Sequence, residues 1–428
     1  MEDSLSPLAH LAIIWCGVFV AIVAARKTKL TPVLYYLAVG AILVNIGVLP
    51  KESHAFIRGF AEIGIVLIMF ALGFEESTSN FLTSIKRSWG VAFFGGVAPF
   101  LTAYFVADYF WNDTEIALIC GLAMTATSVS LAMVSLKAEK LNGSHAATGI
   151  MTSAVIEDIA SLALVAVLVP IATGDAEPGL ASISLIAGKA LLFFAIIVVI
   201  GTLILPHNPI GWLAKIPIVG RLGAKHLFAF GEGEHATLAA LTIAAIIGVM
   251  AHNFGFHPAV GAYMAGLILK EEYFHFHDHP KVNYYENTKR VVDNVAFSWI
   301  GPVFFVDLGT KIVFDWDIVV SVIPETIALT VGILVAQIVS SAVAARYTGR
   351  FTWNEGIMMG FGMLGRAELA FVVMDIAFVQ NPILSQEAFY TLMFTAFWLN
   401  VAVPISIAWW KPYYTGEKRL VGKKPPAP

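Results

Sequence analysis

The chain has 428 residues, of which 58% are hydrophobic and 13% charged, and its formal net charge is −4. Soluble domains carry about 25% charged residues, so this composition excludes a soluble globule, and a mean hydropathy of +0.78 points to a protein with many membrane spans. Cys16 and Cys120 both fall inside apolar segments, which excludes a disulfide framework.

Apolar stretches long enough to cross a hydrocarbon core of about 30 Å recur along the whole length. The sequence predicts an all-α polytopic membrane protein with 13 transmembrane helices, at about 8–25, 32–49, 61–76, 89–110, 114–136, 147–170, 182–205, 236–252, 256–270, 291–313, 319–345, 355–379 and 386–410. The N-terminus opens on Glu2 and Asp3, not on a basic region, so the first stretch reads as a retained span and not a signal peptide. Lys and Arg sort by loop. Alternate connections and the tail carry nearly all of those outside the spans, whereas the opposite side has only Lys51 and Arg58. The positive-inside rule then places the N-terminus outside and the C-terminus in the cytoplasm of a plasma-membrane protein.

The connection from Pro206 to His235 is the longest at mid-chain. It suggests a first six-helix repeat (1–181), a linker helix with a cytoplasmic loop (182–235), a second six-helix repeat (236–410) and a short basic, Pro-rich tail (411–428). Six is even, so the single linker span inverts the second half. EIGIVLIMFALGFE in span 3 also resembles IGPVFFVDLGTKI in span 10. Two inverted repeats are typical of secondary transporters. The tail has no room for a nucleotide-binding regulatory domain, and nothing in the chain suggests a nucleic-acid partner.

In chain order, the first polar cluster is in span 5, GLAMTATSVSLAMVSL, where Thr125, Thr127, Ser128 and Ser130 crowd the centre. Such residues line membrane helix interfaces. In a locally unwound helix they would instead offer oxygen ligands to a hard cation. Span 6 then sets Glu157 and Asp158 side by side in IMTSAVIEDIASLALVAVLVP. Two carboxylates at bilayer depth cost roughly 2.5 kcal/mol or more each when charged and unpaired. A chain that keeps them there holds something positive: a proton, an alkali cation, or a Lys or Arg from another helix. The loop motif HFHDH (His275, His277, Asp278, His279) admits a metal site or a pH-responsive surface, with plain solvated polarity the leading reading. Span 10 carries Asp307 at depth and Lys311 nearer its end, both expected, with Gln337, Arg366 and Glu368, as charge-compensating or gating groups. Span 12 holds the counterpart of span 5: Gly360, Gly362 and Gly365 weaken the helix just before Arg366 and Glu368.

Taken together, LTPVLYYLAVGAIL, FAEIGIVLIMFALGFE, TATSVSLAM, AVIEDIASL, GFHPAVGAYMAGLIL, GPVFFVDLGTKI and GRAELAFVV, in this order over nearly all of the chain, resemble the monovalent cation:proton antiporters. Within them the resemblance is to the second subfamily, bacterial Na+/H+ and K+/H+ exchangers. It implies the sodium/proton antiporter fold, with spans 5 and 12 crossing as broken helices beside the acidic pair. It also implies a dimerisation domain, hence a homodimer in membrane lipid, and elevator-type alternating access. Asp158 matches the acid that binds cation and proton in competition, so the monovalent cation is expected at Asp158. Glu157 falls where relatives carry Asp, Asn or Gln, and Thr127 and Ser128 match the hydroxylated break. Gln337 stands where many relatives have a Lys, and Asp307 where relatives more often have a small or hydroxylated residue.

The expected function is therefore H+-coupled antiport of Na+ or K+ in pH homeostasis, without a cofactor. The alternative is a Na+-coupled symporter of a small solute or anion on the same fold, with Arg366 as its anion contact. A channel would need a continuous polar pore, whereas the polar residues cluster at one depth. An enzyme is not expected, because the spans carry no nucleophile–base pair and no metal-ligand motif. Gln337 cannot titrate and Arg366 is always protonated. Adjacent helical positions diverge by about 100°, so Glu157 can face Arg366 while Asp158 faces the ion path. One titrating carboxyl then predicts electroneutral 1:1 exchange.

Overall fold

In the hydrocarbon core every backbone N–H and C=O needs an internal partner, which leaves helices or closed barrels as solutions. The computed structural model takes the helical one. It describes residues 6–28, 30–75, 78–172, 180–201, 228, 235–269, 271–274, 283–366 and 368–417, and no strand occurs among them. The helices are α1 (Pro7–Thr28), α2 (Pro32–Asn45), α3 (Ala55–Glu75), α4 (Thr78–Trp111), α5 (Thr114–Ala123), α6 (Val129–Ala138), α7 (His145–Ala172) and α8 (Leu180–Val199). They continue with α9 (Ala236–Asn253), α10 (Pro258–Ile268), α11 (Tyr284–Asn294), α12 (Gly301–Gly309), α13 (Trp316–Ser321), α14 (Ile323–Tyr347), α15 (Trp353–Gly362), α16 (Glu368–Asp375) and α17 (Gln386–Tyr414). Among the described residues, 8 helical stretches are long and apolar enough to cross a membrane. The HFHDH motif and most of the Pro206–His235 connection lie outside the described residues.

Two expected spans are not continuous helices. Span 5 is α5 and α6 with an interruption at Met124–Ser128, and span 12 is α15 and α16, whose described interruption is Met363–Arg366. In span 10 a π-helical turn, Val295–Trp299, separates α11 from α12.

Packing divides the chain into two compact units. The first gathers residues 1–24, 32–80 and 162–314, and the second residues 25–31, 81–161 and 315–428. Each draws on both halves of the sequence, so the packing partition differs from the repeat partition expected from the order of spans. In the first unit α3 and α10 approach backbone to backbone. A Cβ on Gly73 would run into the Tyr263 carbonyl, and one on Gly266 into that of Phe70, as small residues permit between membrane helices. Asp307 and Lys311 belong to this unit. Asp307 accepts from the Ser53 hydroxyl, and Lys311 Nζ donates to the Lys51 carbonyl at 3.1 Å.

The second unit is built on α14 to α17 and the interrupted pair α5–α6, with most of α4 and the first half of α7. Gly360 lets α15 lie on α14, since a Cβ there would come within 2.8 Å of Ile338 Cα. Its helix ends are capped from the sequence. Asp113 opens α5, a Thr352–Glu355 capping box opens α15 and Ser385 opens α17. The end of α17 is fastened to the start of α15, with Trp410 Nε1 donating to the Asn354 carbonyl at 3.1 Å and Asn354 Nδ2 to that of Tyr413 at 2.9 Å.

Candidate site at the crossing of two interrupted helices

A helix that stops inside a membrane leaves carbonyls at one end and N–H groups at the next start without helical partners. The two interruptions of the second unit answer each other. Ser128, the residue that opens α6, donates its N–H to the carbonyl of Gly365 at 2.9 Å. Gly365 is glycine for space: a Cβ there would come within 3.2 Å of Ser128 Cβ and of Leu131 Cδ2, and 3.1 Å from Asn400 Oδ1. The breaks predicted in spans 5 and 12 therefore meet.

Arg366, fully buried at 0% exposure, turns its guanidinium back on the end of α15. Nη1 donates to the carbonyls of Met363 at 3.0 Å, Leu364 at 3.2 Å and Gly365 at 3.1 Å, and Nη2 to Gln337 Oε1 at 3.0 Å. A buried cation is tolerated when it is hydrogen-bonded, and a helix C-terminus is where a cation is electrostatically favoured. Asn400, in the interior of α17, clamps the same residue by its backbone. Arg366 N–H donates to Asn400 Oδ1 at 3.0 Å, and Asn400 Nδ2 donates to the Arg366 carbonyl at 2.7 Å.

The acids come from α7. Glu157 is 2% exposed and accepts at Oε2 from the Thr127 hydroxyl at 2.9 Å, which ties it to the first break. Asp158 is half-buried on the same turn, and Glu368, the first residue of α16, is also half-buried. Thr125 is buried and donates to the Gly121 carbonyl at 2.9 Å, a back-bond within its own helix end. Ser128 acts as the cap of α6, its hydroxyl accepting from Leu131 N–H at 3.4 Å.

The direct pairing of Glu157 with Arg366 is not what the structure has. Among the described residues no ion pair joins them. Thr127 takes one carboxylate oxygen, and Gln337 with three carbonyls takes the guanidinium. Gln337 is fully buried and donates from Nε2 to Ser341 Oγ at 3.2 Å, so the amide links the cation to a hydroxyl. Asp307 and Lys311, expected as compensating groups, sit in the first unit and are no part of this cluster.

Three residues of the cluster escaped the sequence reading: Asn400, Ser341 and Gly95. Each left a signal. Asn400 is a polar residue inside an otherwise apolar span, Ser341 closes a Ser pair in span 11, and Gly95 opens a Gly pair in span 4. Among the described residues no group of three His, Cys, Asp or Glu stands at metal-binding spacing. The ligands on offer are carboxylate, hydroxyl and carbonyl oxygens, a hard set suited to an alkali cation or a proton as transported substrate.

Two interrupted helices that meet beside one buried and one half-buried carboxylate are the mark of an ion pathway in a membrane protein. The family described as "Sodium/hydrogen exchanger, transmembrane" matches residues 14–410, and the chain belongs to that family, one of monovalent cation:proton antiporters and not of enzymes. The Bacillus cereus protein named a probable Na(+)/H(+) antiporter, GerT, is 27% identical over 350 residues, which cover 80% of this chain and 82% of GerT. The Na(+)/H(+)-K(+) antiporter GerN of Bacillus cereus is 24% identical over 370 residues, 85% of this chain and 87% of GerN. In fold the chain is similar to the sodium proton antiporter MjNhaP1 from Methanocaldococcus jannaschii. The TM-score is 0.66 at 12% identity, covering 94% of this chain and 99% of that one.

Proposed function

We propose that the protein exchanges Na+ or K+ for H+ across the cell membrane by alternating access, with Asp158 holding cation and proton in turn. The observation that carries this reading is the contact of the two helix breaks, Ser128 N–H on Gly365 O at 2.9 Å, beside the acid pair of α7. Competition for one carboxylate couples two fluxes without a relay between sites. Each ligand neutralises the site, and a neutral site crosses hydrocarbon at lower cost. Thr127, Ser128 and the break carbonyls supply the remaining oxygens for a dehydrated cation.

Exchange is 1:1 and electroneutral in this reading. Gln337 has no proton to give and Arg366 keeps its own. Glu157 is engaged by Thr127, which supports a positioning role for it. The protein works as a homodimer without a cofactor, and its 13 spans form two inverted sixes (1–181 and 236–410) joined by 182–235. The N-terminus lies outside, as the Lys and Arg distribution supports. Movement is of the elevator type, one compact unit carrying the ion site.

The test is a proteoliposome assay with an internal pH dye. Pulses of Na+ or K+ should collapse a preset pH difference. A pH difference that stays intact through a full alkali-cation series would overturn the proposal and favour a solute symporter.

A further inference from the structure

Around Gly95, midway along α4, three buried polar groups converge where a side chain would stand. A Cβ on Gly95 would be 2.8 Å from Glu157 Oε1, 3.2 Å from Gln337 Nε2 and 3.3 Å from Ser341 Oγ. All three residues are buried, at 2%, 0% and 0% exposure respectively. Glu157 Oε1 has no hydrogen-bond partner among the described residues, although Oε2 of the same carboxylate does. Buried carboxylate oxygens are almost always partnered, and one left alone is expensive.

The chemistry of the three groups selects the ligand. Glu157 Oε1 only accepts when the carboxyl is ionised, the state in which Oε2 takes the Thr127 hydroxyl and Oε1 still lacks a donor. Gln337 Nε2 has given one hydrogen to Ser341 and keeps a second. Ser341 accepts from Gln337 and keeps its own O–H to donate. An anion would face the carboxylate, and a cation would face the amide hydrogens. A water molecule, which donates and accepts, suits all three, and two to four polar partners are what a buried water needs.

We infer that one buried water binds against the bare Cα of Gly95, between the Glu157 carboxylate, the Gln337 amide and the Ser341 hydroxyl. Gln337 already accepts from Arg366 at 3.0 Å, so the water completes a chain that runs Thr127, Glu157, water, Gln337, Arg366. Glu157 and Arg366 are then a solvent-separated pair whose separation is fixed by protein. Glycine at 95 is what makes the binding site, because a methyl group there occupies the place the water needs. The bearing of this water on exchange, through a fixed Glu157, rests on the proposed antiport; its presence does not.

The site is tested on purified full-length protein in lipid by infrared spectroscopy in ordinary and ¹⁸O-labelled water. Wild type is expected to show an ¹⁸O-sensitive O–H stretch of a buried water. Gly95→Ala is expected to lose it, while Asp158→Asn, which stops transport under the proposed function, retains it. Gly95→Ser is expected to melt above Gly95→Ala, since its hydroxyl can take the place of the water beside Glu157. Should Gly95→Ala fail to fold, Ser341→Ala adds no bulk and is expected to shift or remove the same band. An absent band in wild type, or a band unchanged in both Gly95→Ala and Ser341→Ala, overturns the inference whatever the transport result.

Discussion

Asn400 carries a prediction that can be worked through from distances. Its side chain satisfies both backbone groups of Arg366, the N–H at 3.0 Å and the C=O at 2.7 Å. These groups lie at a helix interruption, so no helical partner takes over when the side chain is cut back. Replacing Asn400 by Ala leaves a buried donor and a buried acceptor, each costing roughly 1–3 kcal/mol, for a total of about 2–6 kcal/mol. The second compact unit has about 200 residues, for which 1 kcal/mol moves the melting temperature by about 2–4 °C. The fall should be about 4–24 °C in a fluorescence-monitored melt of the purified protein. If Asn400→Ala melts within 1 °C of wild type, the clamp on the second break is not what holds Arg366 in place.

Thr127→Val preserves shape and removes the hydroxyl that reaches Glu157 at 2.9 Å. It should weaken apparent cation affinity more than it lowers the melting temperature; the reverse ranking would make Thr127 a packing residue. Gln337→Leu strips Arg366 Nη2 of its acceptor and should lower the melting temperature by more than Gln337→Glu, which keeps one; equal losses would show that the guanidinium does not depend on residue 337. With Na+ as the transported ion, an imposed potassium–valinomycin potential should alter neither rate nor end point. Exchange that follows the potential would make Glu157 a second proton carrier and end the 1:1 reading.

The residues that announced the site did so by being costly where they stand. Glu157, Asp158 and Arg366 are charges inside apolar stretches, and membranes do not keep such charges idle. The helix interruptions were legible for the same local reason: Gly360, Gly362 and Gly365 in one span, and Thr125, Thr127 and Ser128 in the other, weaken helix where the chain stops being helical. Arg366's partners were not legible. A lone Arg beside a helix end can seek a carboxylate or the end's own carbonyls, and only the path of the chain after Gly362 decides for the carbonyls. Asn400 stands out as a polar residue in an apolar span, but its partner cannot be read from the sequence until α17 is known to pack against the second break. The interleaved compact units were hidden as well, because contacts between α3 and α10, far apart in sequence, leave no periodic trace along the chain.

The central claim, that Asp158 is the carboxylate for which cation and proton compete, is tested most directly by Asp158→Asn in proteoliposomes with an internal pH dye. The amide keeps the size of the side chain and cannot exchange a proton. The variant should insert and melt like wild type, yet show no proton flux on addition of Na+ or K+. Cation-driven proton flux at a rate near wild type would contradict the claim and move the exchange site elsewhere.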